Sequence, residues 1–457
     1  MPHDYLDQLA EFVASLRAED LPPETIAAAR DVVLDTIGAM IAGSRLDENT
    51  NFAGLAAELS GPGRATIIGH SHQVQPVWAT MVNATAGVAL EMDEGNRVGG
   101  GHPSIHVTPG ALAVAEDLDC TGADTLAAII AGYEVTSRIG TATQVKPEVH
   151  SHGTWGTIGT AAAAARLMGF DPAQTRLAMN LAMSMSPANT WTPCLEGATV
   201  RNLYPGRSGF QGIMAAHLSQ CGFTSVSDGP ADLYRSLLGD GFEPDAVVDG
   251  LGDLDNLRIG QNYFKFHACC LYNHPALDAV QNILSETPFT AGDVKGILVT
   301  APTIAQIMDD PAPANMLAAK FSIPYAVAAA VCYGKTDVSA FLPERVRDGD
   351  IRRLAQRVEL KADAEMNLRR YDYPAARAAV QLSDGRRLES SVVSQRGDAT
   401  NPASREQFMG KFRSLAGPTL GDEGVECVIG AVGRMEKLEN IEGLTTLLQS
   451  GQQEDAQ

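Results

Sequence analysis

The feature that most constrains the fold is a segment of small residues, which runs from Gly156 to Met168. Placed on a helix, these residues form no polar stripe, so the segment predicts a helix that packs closely on every side. Other apolar residues recur at helical spacing, for example over 6–16 and 26–41, and period-two alternation is almost absent up to about Gln261. The first part of the chain is therefore predicted to be all-α.

The pattern changes near Tyr263. Residues 294–299 and 357–360 alternate like strands, while 378–382 and 387–393 flank Asp384-Gly385, a strong two-residue turn signal. Helical spacing returns from Ser404 in segments too few to enclose a core of their own. The chain is thus predicted to be mainly α, with a large all-α domain from residues 1–263 and 404–457 and a smaller α+β domain at 264–403.

Composition excludes several classes of partner. The net charge is −21, with 55 acidic and 34 basic residues, whereas nucleic acids and anionic membranes bind basic surfaces. A small anionic substrate remains compatible if a few lysines and arginines are focused in a cleft. The odd number of cysteines, 7, predicts no disulfide framework and fits the cytoplasm. No apolar run reaches the ~18 residues of a membrane span.

An acidic segment between two apolar stretches is the first candidate site. Three carboxylates are followed by a glycine-rich connection and two histidines four residues apart: Glu91, Asp93, Glu94, His102 and His106. Thr108-Pro109 is predicted to begin the next helix. The segment is either a site for proton transfer near neutral pH or a solvated loop with a capping histidine, and both interpretations stay open.

Two further polar clusters extend the candidate set. His150 and His152 precede the small-residue helix and either bind a ligand or line a loop. Lys265 is flanked by aromatic residues, so it either covers a surface or lies desolvated in a cleft, where its pKa can fall enough for proton transfer. Cys270 is interpreted as a small core residue, and Tyr325 lies in the first turn of a helix that begins at Pro324.

Taken together, the motifs resemble the MmgE/PrpD family over nearly the whole length. The matching stretches are 34–38, the acidic segment with His102-Pro103-Ser104, 156–169, Lys265 ahead of Cys270 and His274-Pro275, and Phe321-Ser322 with Tyr325. The resemblance implies a large all-α domain from both chain ends, an inserted α+β lid domain, and usually a homodimer. It also implies an active site between the domains that uses no metal and no organic cofactor.

The resemblance assigns residues position by position. Those that match the family's site are Glu91, Asp93, Glu94, His102, His150, Lys265 and Tyr325, with His152 as an out-of-register neighbour of His150. Two positions differ from the decarboxylases of the family. Phe210 stands where they carry a lysine, with Arg207 one turn earlier, and Cys270 stands where they carry a histidine. Arg97 would suit a substrate carboxylate.

The favoured hypothesis is an enzyme that removes a proton next to a carboxylate of a small di- or tricarboxylic acid. His102 or His150 would be the base, Lys265 would stabilise the charge that develops, and Tyr325 and Asp93 would orient substrate and base. The expected substrate-binding residues are Glu91, Glu94, Arg97, His152, Arg207 and Cys270.

That activity would be 2-methylcitrate dehydratase-like or iminodisuccinate epimerase-like, with a cis-aconitate decarboxylase-like activity as the alternative. Two other classes are a metal-dependent hydrolase built on the histidines and a non-catalytic scaffold.

Overall fold

The computed structural model describes residues 4–368 and 375–449, so the ends of the predicted domains at 1–3 and 450–457 and an internal segment at 369–374 lie outside the description. The chain is 62% helical and 10% strand, which confirms the mainly α prediction.

The helices among the described residues are α1 (Tyr5–Ser15), α2 (Pro23–Ser44), α3 (Asp47–Ser60), α4 (Pro76–Ala89), α5 (Pro103–Asp117), α6 (Gly122–Ala142), α7 (Gly156–Leu167), α8 (Pro172–Met185), α9 (Thr192–Glu196), α10 (Leu203–Gln220), α11 (Pro244–Val248), α12 (His274–Glu286), α13 (Met316–Lys320), α14 (Ile323–Tyr333), α15 (Pro343–Val346), α16 (Gly349–Ala355), α17 (Arg405–Val432) and α18 (Glu442–Thr445). The strands are β1 (Ala65–Thr66), β2 (Gln73–Val74), β3 (Gly95–Asn96), β4 (Thr143–Val145), β5 (Gly239–Phe242), β6 (Asn262–Tyr263), β7 (Val294–Ala301), β8 (Val358–Ala362), β9 (Ala376–Leu382) and β10 (Arg387–Val392).

The small-residue helix α7 lies at the centre of the helical part. It packs against α5, α6, α8 and α10, and its residues from Gly156 to Ala165 are all buried. Its neighbours approach so closely that a Cβ atom at Gly159 would lie 1.8 Å from the Thr136 hydroxyl oxygen. The small residues are thus needed because four helices meet at one axis.

The C-terminal helix α17 returns to the helical part, where it packs along α2. Phe408 and Phe412 join the same core cluster as Ile37 and Val33. Residues from Ala268 to Val392 form most of a second core cluster. These contacts favour the predicted domain division, whose boundaries stay a prediction.

A four-stranded sheet, in the order β10-β9-β7-β8, forms the β part of the second cluster. Strands β7 and β8 are parallel, and β9 pairs antiparallel with both β7 and β10. The predicted hairpin is confirmed, and Gly385 in its turn has a φ of +94°, a conformation that glycine adopts without strain.

Two sequence-based expectations for the first part were wrong in detail. Short two-stranded ladders join β1 to β2, β3 to β6 and β4 to β5, and strands of two to four residues are too short to show alternation. Helix α5 begins at Pro103, not at Thr108, and carries Pro109 in its interior. The ladder of β3 with β6 pairs Gly95 with Tyr263, so the acidic segment lies beside the start of the second cluster.

No helix in residues 4–368 or 375–449 combines the length and the apolar character that crossing a membrane requires.

Candidate active site

The acidic segment is buried, which rules out the solvated loop. Glu91 is 1% exposed, and Asp93 and Glu94 are 0% exposed. Glu91 has a φ of +54°, which is rare for a residue other than glycine and marks a backbone held by its surroundings. Two buried lysines provide part of that hold, because Lys320 Nζ donates to the Ala89 carbonyl and Lys411 Nζ to the Met92 carbonyl, each at 2.8 Å.

Two buried cations neutralise two of the carboxylates. Lys265 Nζ lies 3.1 Å from Glu91 Oε2 and 3.2 Å from Asp93 Oδ1, and Arg201 Nη1 lies 2.5 Å from Glu91 Oε1. Burial favours neutral forms, but the opposite charges outweigh it: the pKa of Lys265 is raised, and the pKa values of Glu91 and Asp93 are lowered. The four groups therefore stay charged, and the pKa of Lys265 does not fall as that of a desolvated lysine can, because two carboxylates face it.

His102, at the start of α5, presents a ring nitrogen that can accept a proton. Its Nδ1 lies 2.7 Å from the Glu94 carbonyl oxygen and 3.1 Å from Asp93 Oδ2. Since both partners are acceptors, Nδ1 carries the hydrogen, and a neutral His102 keeps its lone pair on Nε2. The carboxylate beside Nδ1 also stabilises the imidazolium that forms when Nε2 takes up a proton.

His150 has the opposite tautomer. Its Nδ1 accepts a hydrogen bond from the His152 backbone N–H at 3.0 Å, so the hydrogen of the neutral ring lies on Nε2. Burial holds the pKa of His150 well below its ordinary value, and the charge of Arg201 adds to this. The buried Nε2–H has no hydrogen-bond partner among the described residues, so it is a donor left for a ligand.

The other two histidines differ from each other in role. His106 is satisfied, because its Nδ1 donates to the His102 carbonyl at 2.7 Å and its Nε2 accepts from the Gly153 N–H at 2.9 Å. His152 stacks on His102 with ring centroids 4.2 Å apart, and both of its buried ring nitrogens lack a hydrogen bond within the described part of the chain, although Nε2 lies 3.8 Å from Asp93 Oδ2. His106 is therefore structural, whereas His152 is available to a ligand.

One group in the described residues has the spacing of a metal-binding set, with ligand atoms of Asp93, His102 and His152 within 4.8 Å of one another. Two features oppose a cation there. The Nδ1 hydrogen of His102 points to a carbonyl oxygen, and the Lys265 ammonium already lies against the other oxygen of Asp93. A divalent ion bound through these atoms would have to displace the Nδ1 hydrogen of His102 and lie close to the positive Lys265 ammonium.

These groups border a cavity of about 650 Å³, which is lined by residues from both predicted domains. The predicted site residues that line it are Glu91, Arg97, His102, His150, His152 and Cys270. Asp93, Glu94 and Lys265 lie behind this wall and act through their neighbours: Glu94 accepts from the Ser104 N–H at 2.7 Å and the Tyr133 hydroxyl at 3.0 Å.

The two arginines named from the sequence have different positions. Arg97 borders the cavity and forms an ion pair with Asp398 at 3.0 Å. Arg207 donates to the side chain of Asn189, whose backbone carbonyl accepts from the His150 N–H. Arg207 therefore supports the histidine loop from outside the cavity.

The structure does not bring Tyr325 to this group. Its hydroxyl donates to the Ala340 carbonyl at 2.8 Å, and its ring packs near Phe341 in the second core cluster. Ser322 caps α14 through the Tyr325 N–H, and this first turn directs the side chain into the core. A hydroxyl used in this way is not available to the cavity.

Sequence reasoning missed Arg201, Lys411 and the role of Lys320. Arg201 borders the cavity at 1% exposure, although only its neighbour Arg207 was singled out from the same polar stretch. Lys411 comes from α17, more than 300 residues away from the Met92 carbonyl that it binds. Burial lowers the pKa of Lys320 to about 8. A lysine inside an apolar helical pattern was the available signal for Lys320 and Lys411.

Comparison with known proteins adds the family. The MmgE/PrpD N-terminal domain matches residues 7–240, and the MmgE/PrpD C-terminal domain matches residues 267–436. A cis-aconitate decarboxylase of Aspergillus terreus is 23% identical, with 96% of this chain and 95% of that protein covered. The human cis-aconitate decarboxylase is 26% identical, with 97% and 94% covered. The cis-aconitate decarboxylase-like protein oryM of Aspergillus oryzae is 22% identical, with 96% of each covered.

Proposed function

The chain belongs to the MmgE/PrpD family, and from this premise we propose that it is a lyase that moves a proton at a carbon next to a carboxylate of a small di- or tricarboxylic acid. The observation that carries the proposal is that two histidines of one cavity have Nδ1 partners of opposite kind, an acceptor for His102 and a donor for His150. His102 offers a lone pair on Nε2, and His150 offers a hydrogen on Nε2.

The reaction requires a base and a stabilised negative charge. His102 Nε2 takes the proton from carbon while Asp93 and the Glu94 carbonyl hold its other nitrogen. The electrons of the broken C–H bond move toward the adjacent carboxylate, where Arg201 and the His150 Nε2–H stabilise the developing charge. In elimination, a C–O bond then breaks, and the departing hydroxide takes the proton back from His102 as water.

Lys265 positions the carboxylates in this mechanism. Its ammonium pairs with Glu91 and Asp93, and Lys265 is not among the residues that line the cavity, so it fixes the acids that orient Arg201 and His102. We therefore propose neither Lys265 nor Tyr325 as a direct ligand of the substrate.

A second candidate reaction is decarboxylation, because the similar proteins are named cis-aconitate decarboxylases. In that reaction a protonated His102 delivers a proton to carbon as carbon dioxide departs. One of the two differences from the family's decarboxylases argues little against this reaction. Phe210 packs edge-on against Trp78, with 6.0 Å between ring centroids, and does not line the cavity. The other departure, Cys270, does border the cavity.

The two reactions are distinguished by their products. The purified protein is incubated in D₂O with citrate, 2-methylcitrate, cis-aconitate and iminodisuccinate, and proton NMR is combined with measurement of released carbon dioxide. Deuterium at carbon with loss of water supports elimination, and release of carbon dioxide supports decarboxylation. No deuterium and no product from any acid contradicts the proposal.

The oligomeric state and the cellular location are also proposals. A homodimer is proposed on the family resemblance, and sedimentation at micromolar concentration that gives the 48.3 kDa monomer contradicts it. A cytoplasmic location is proposed on the cysteine usage. The proposed reaction needs no metal and no organic cofactor.

A further inference from the structure

The cavity is lined by polar groups that suit a carboxylate head group. Arg201 provides a buried cation whose Nε has no hydrogen-bond partner among the described residues, and His150 Nε2 and both ring nitrogens of His152 add further atoms without a hydrogen bond there. Buried polar atoms without partners are costly, so a ligand that pairs with all of them gains affinity. An acid with two or more carboxylates has the matching charge and oxygen atoms.

The same cavity is also lined by apolar side chains that such a head group does not use. Pro147 and Val149 come from the loop that leads to His150, and Ile304 and Ile307 come from the turn after β7. Ile307 is 37% exposed although it is an isoleucine that borders a cavity. An apolar surface left open beside a polar site is typical of a place where a ligand buries apolar atoms.

Several polar residues that line the cavity already have partners. Thr303 and Asn367 bind each other, through the Thr303 N–H at 2.9 Å and the Thr303 hydroxyl at 3.0 Å. Lys146 Nζ donates to the Leu237 carbonyl at 2.8 Å. The lining residues of these segments that remain for an apolar group of a ligand are therefore Pro147, Val149, Ile304 and Ile307.

We propose that the substrate carries an apolar chain longer than a methyl group beside its carboxylates, and that this chain lies against Pro147, Val149, Ile304 and Ile307. The inference deepens the proposed function, because it rests on that function for the carboxylate head and adds the class of substituent. The cavity of about 650 Å³ lies within the ~300–1,000 Å³ range of pockets that enclose ligands larger than a short-chain acid.

The test measures binding separately from turnover. Methylsuccinate, butylsuccinate and hexylsuccinate share one dicarboxylate head and differ only in chain length, and calorimetric titration gives the Kd of each for the full chain. One buried methylene contributes ~0.8 kcal/mol, or about fourfold in Kd. We therefore expect butylsuccinate to bind at least ~10-fold more tightly than methylsuccinate. Equal Kd values within about twofold, or no binding of any probe, overturn the inference.

Two variants test where the apolar chain of the substrate binds. Ile304→Asn and Ile307→Asn should lower the ratio of the methylsuccinate Kd to the butylsuccinate Kd by about fivefold or more, because one wall becomes polar. Leu59→Asn is the matched control, since Leu59 is 59% exposed on α3 and does not line the cavity, and it should leave the ratio unchanged. A ratio that stays at the wild-type value in both isoleucine variants overturns the proposed position.

The two proposals fail in different ways. Chain-length-dependent binding without turnover of any acid keeps the ligand class and contradicts the lyase. Turnover of citrate or cis-aconitate with no dependence on chain length keeps the lyase and overturns the inference.

Discussion

His102 and His150 border one cavity in opposite tautomers, because the Glu94 carbonyl oxygen holds the hydrogen of His102 on Nδ1 and the His152 N–H holds the hydrogen of His150 on Nε2. Backbone groups set both tautomers, so they persist without a substrate. One ring is thereby prepared to take a proton and the other to donate a hydrogen bond.

The first prediction separates these two roles. His102→Gln should lose ~10²–10⁴-fold in kcat and abolish solvent deuterium exchange at the substrate carbon, because the base is gone. His150→Gln keeps an N–H group and should retain more activity than His150→Leu. His72→Gln, at an exposed histidine, is the control. Equal activities of His150→Gln and His150→Leu would contradict the donor role.

The second prediction concerns Lys265. Lys265→Met leaves Glu91 and Asp93 buried without this cation, so we expect a loss of ~3–5 kcal/mol in the free energy of unfolding together with ~10²-fold or more in kcat/KM. Denaturant unfolding and steady-state kinetics measure the two effects. Lys295→Met removes an exposed lysine of β7 and should change neither. A stable Lys265→Met with unchanged kinetics would sink the positioning role.

The third prediction tests the link from α17 to the acidic segment. Lys411→Met removes the partner of buried Asp35 and the donor to the Met92 carbonyl, and should cost several kcal/mol of stability as well as kcat. Burial raises the pKa of Asp35 to about 6, so the loss relative to wild type should be larger at pH 8 than at pH 5, where the carboxyl is protonated.

Arg413→Met is the matched control for this variant. Arg413 lies on the same helix and pairs with Glu426, but both side chains are half-exposed, so its removal should leave the free energy of unfolding almost unchanged. Similar losses in Lys411→Met and Arg413→Met would show that burial of the Lys411 pair has no special effect.

The fourth prediction is acid sensitivity. Burial lowers the pKa of His106 to about 4 and holds those of His150, His152 and His274 well below the ordinary value. These four rings therefore bind fewer protons in the folded state than in the unfolded state as pH falls from 6.5 toward 4, and their contribution to stability falls in that window. His106 alone accounts for up to ~3 kcal/mol.

Unfolding of wild type and His106→Asn at pH 7, 5.5 and 4.5 checks this effect. Asn cannot be protonated and keeps a donor for the His102 carbonyl, so the variant should be less stable at pH 7 but lose less stability on acidification. Parallel pH curves for the two proteins would count against His106 as a contributor.

The fifth prediction is that activity survives exhaustive EDTA treatment. Lys265 occupies one side of Asp93 and the Nδ1 hydrogen of His102 faces a carbonyl, so the group of Asp93, His102 and His152 disfavours a divalent ion. Elemental analysis and activity are measured on the same sample. Stoichiometric metal whose removal abolishes activity would refute the prediction.

The sequence by itself determined the local elements. Small residues from Gly156 onward specified a helix with close neighbours, and Asp384-Gly385 specified a hairpin, because helix packing distance and turn type follow from residues adjacent in the chain. It also indicated that the acids near Glu91 and the histidines from His102 lie together, since a short glycine-rich connection limits their separation.

Only the tertiary structure decided the chemistry of these groups. Lys265 pairs with Glu91 across 174 residues, and the direction of its pKa depends on whether burial or the two carboxylates have the larger effect. Tyr325 turns into the second core, and Arg201 enters the cavity, because packing and not local pattern selects the side-chain direction. Tautomers, charge pairs and cavity walls depend on groups distant in the chain, and no periodicity in a single sequence encodes those contacts.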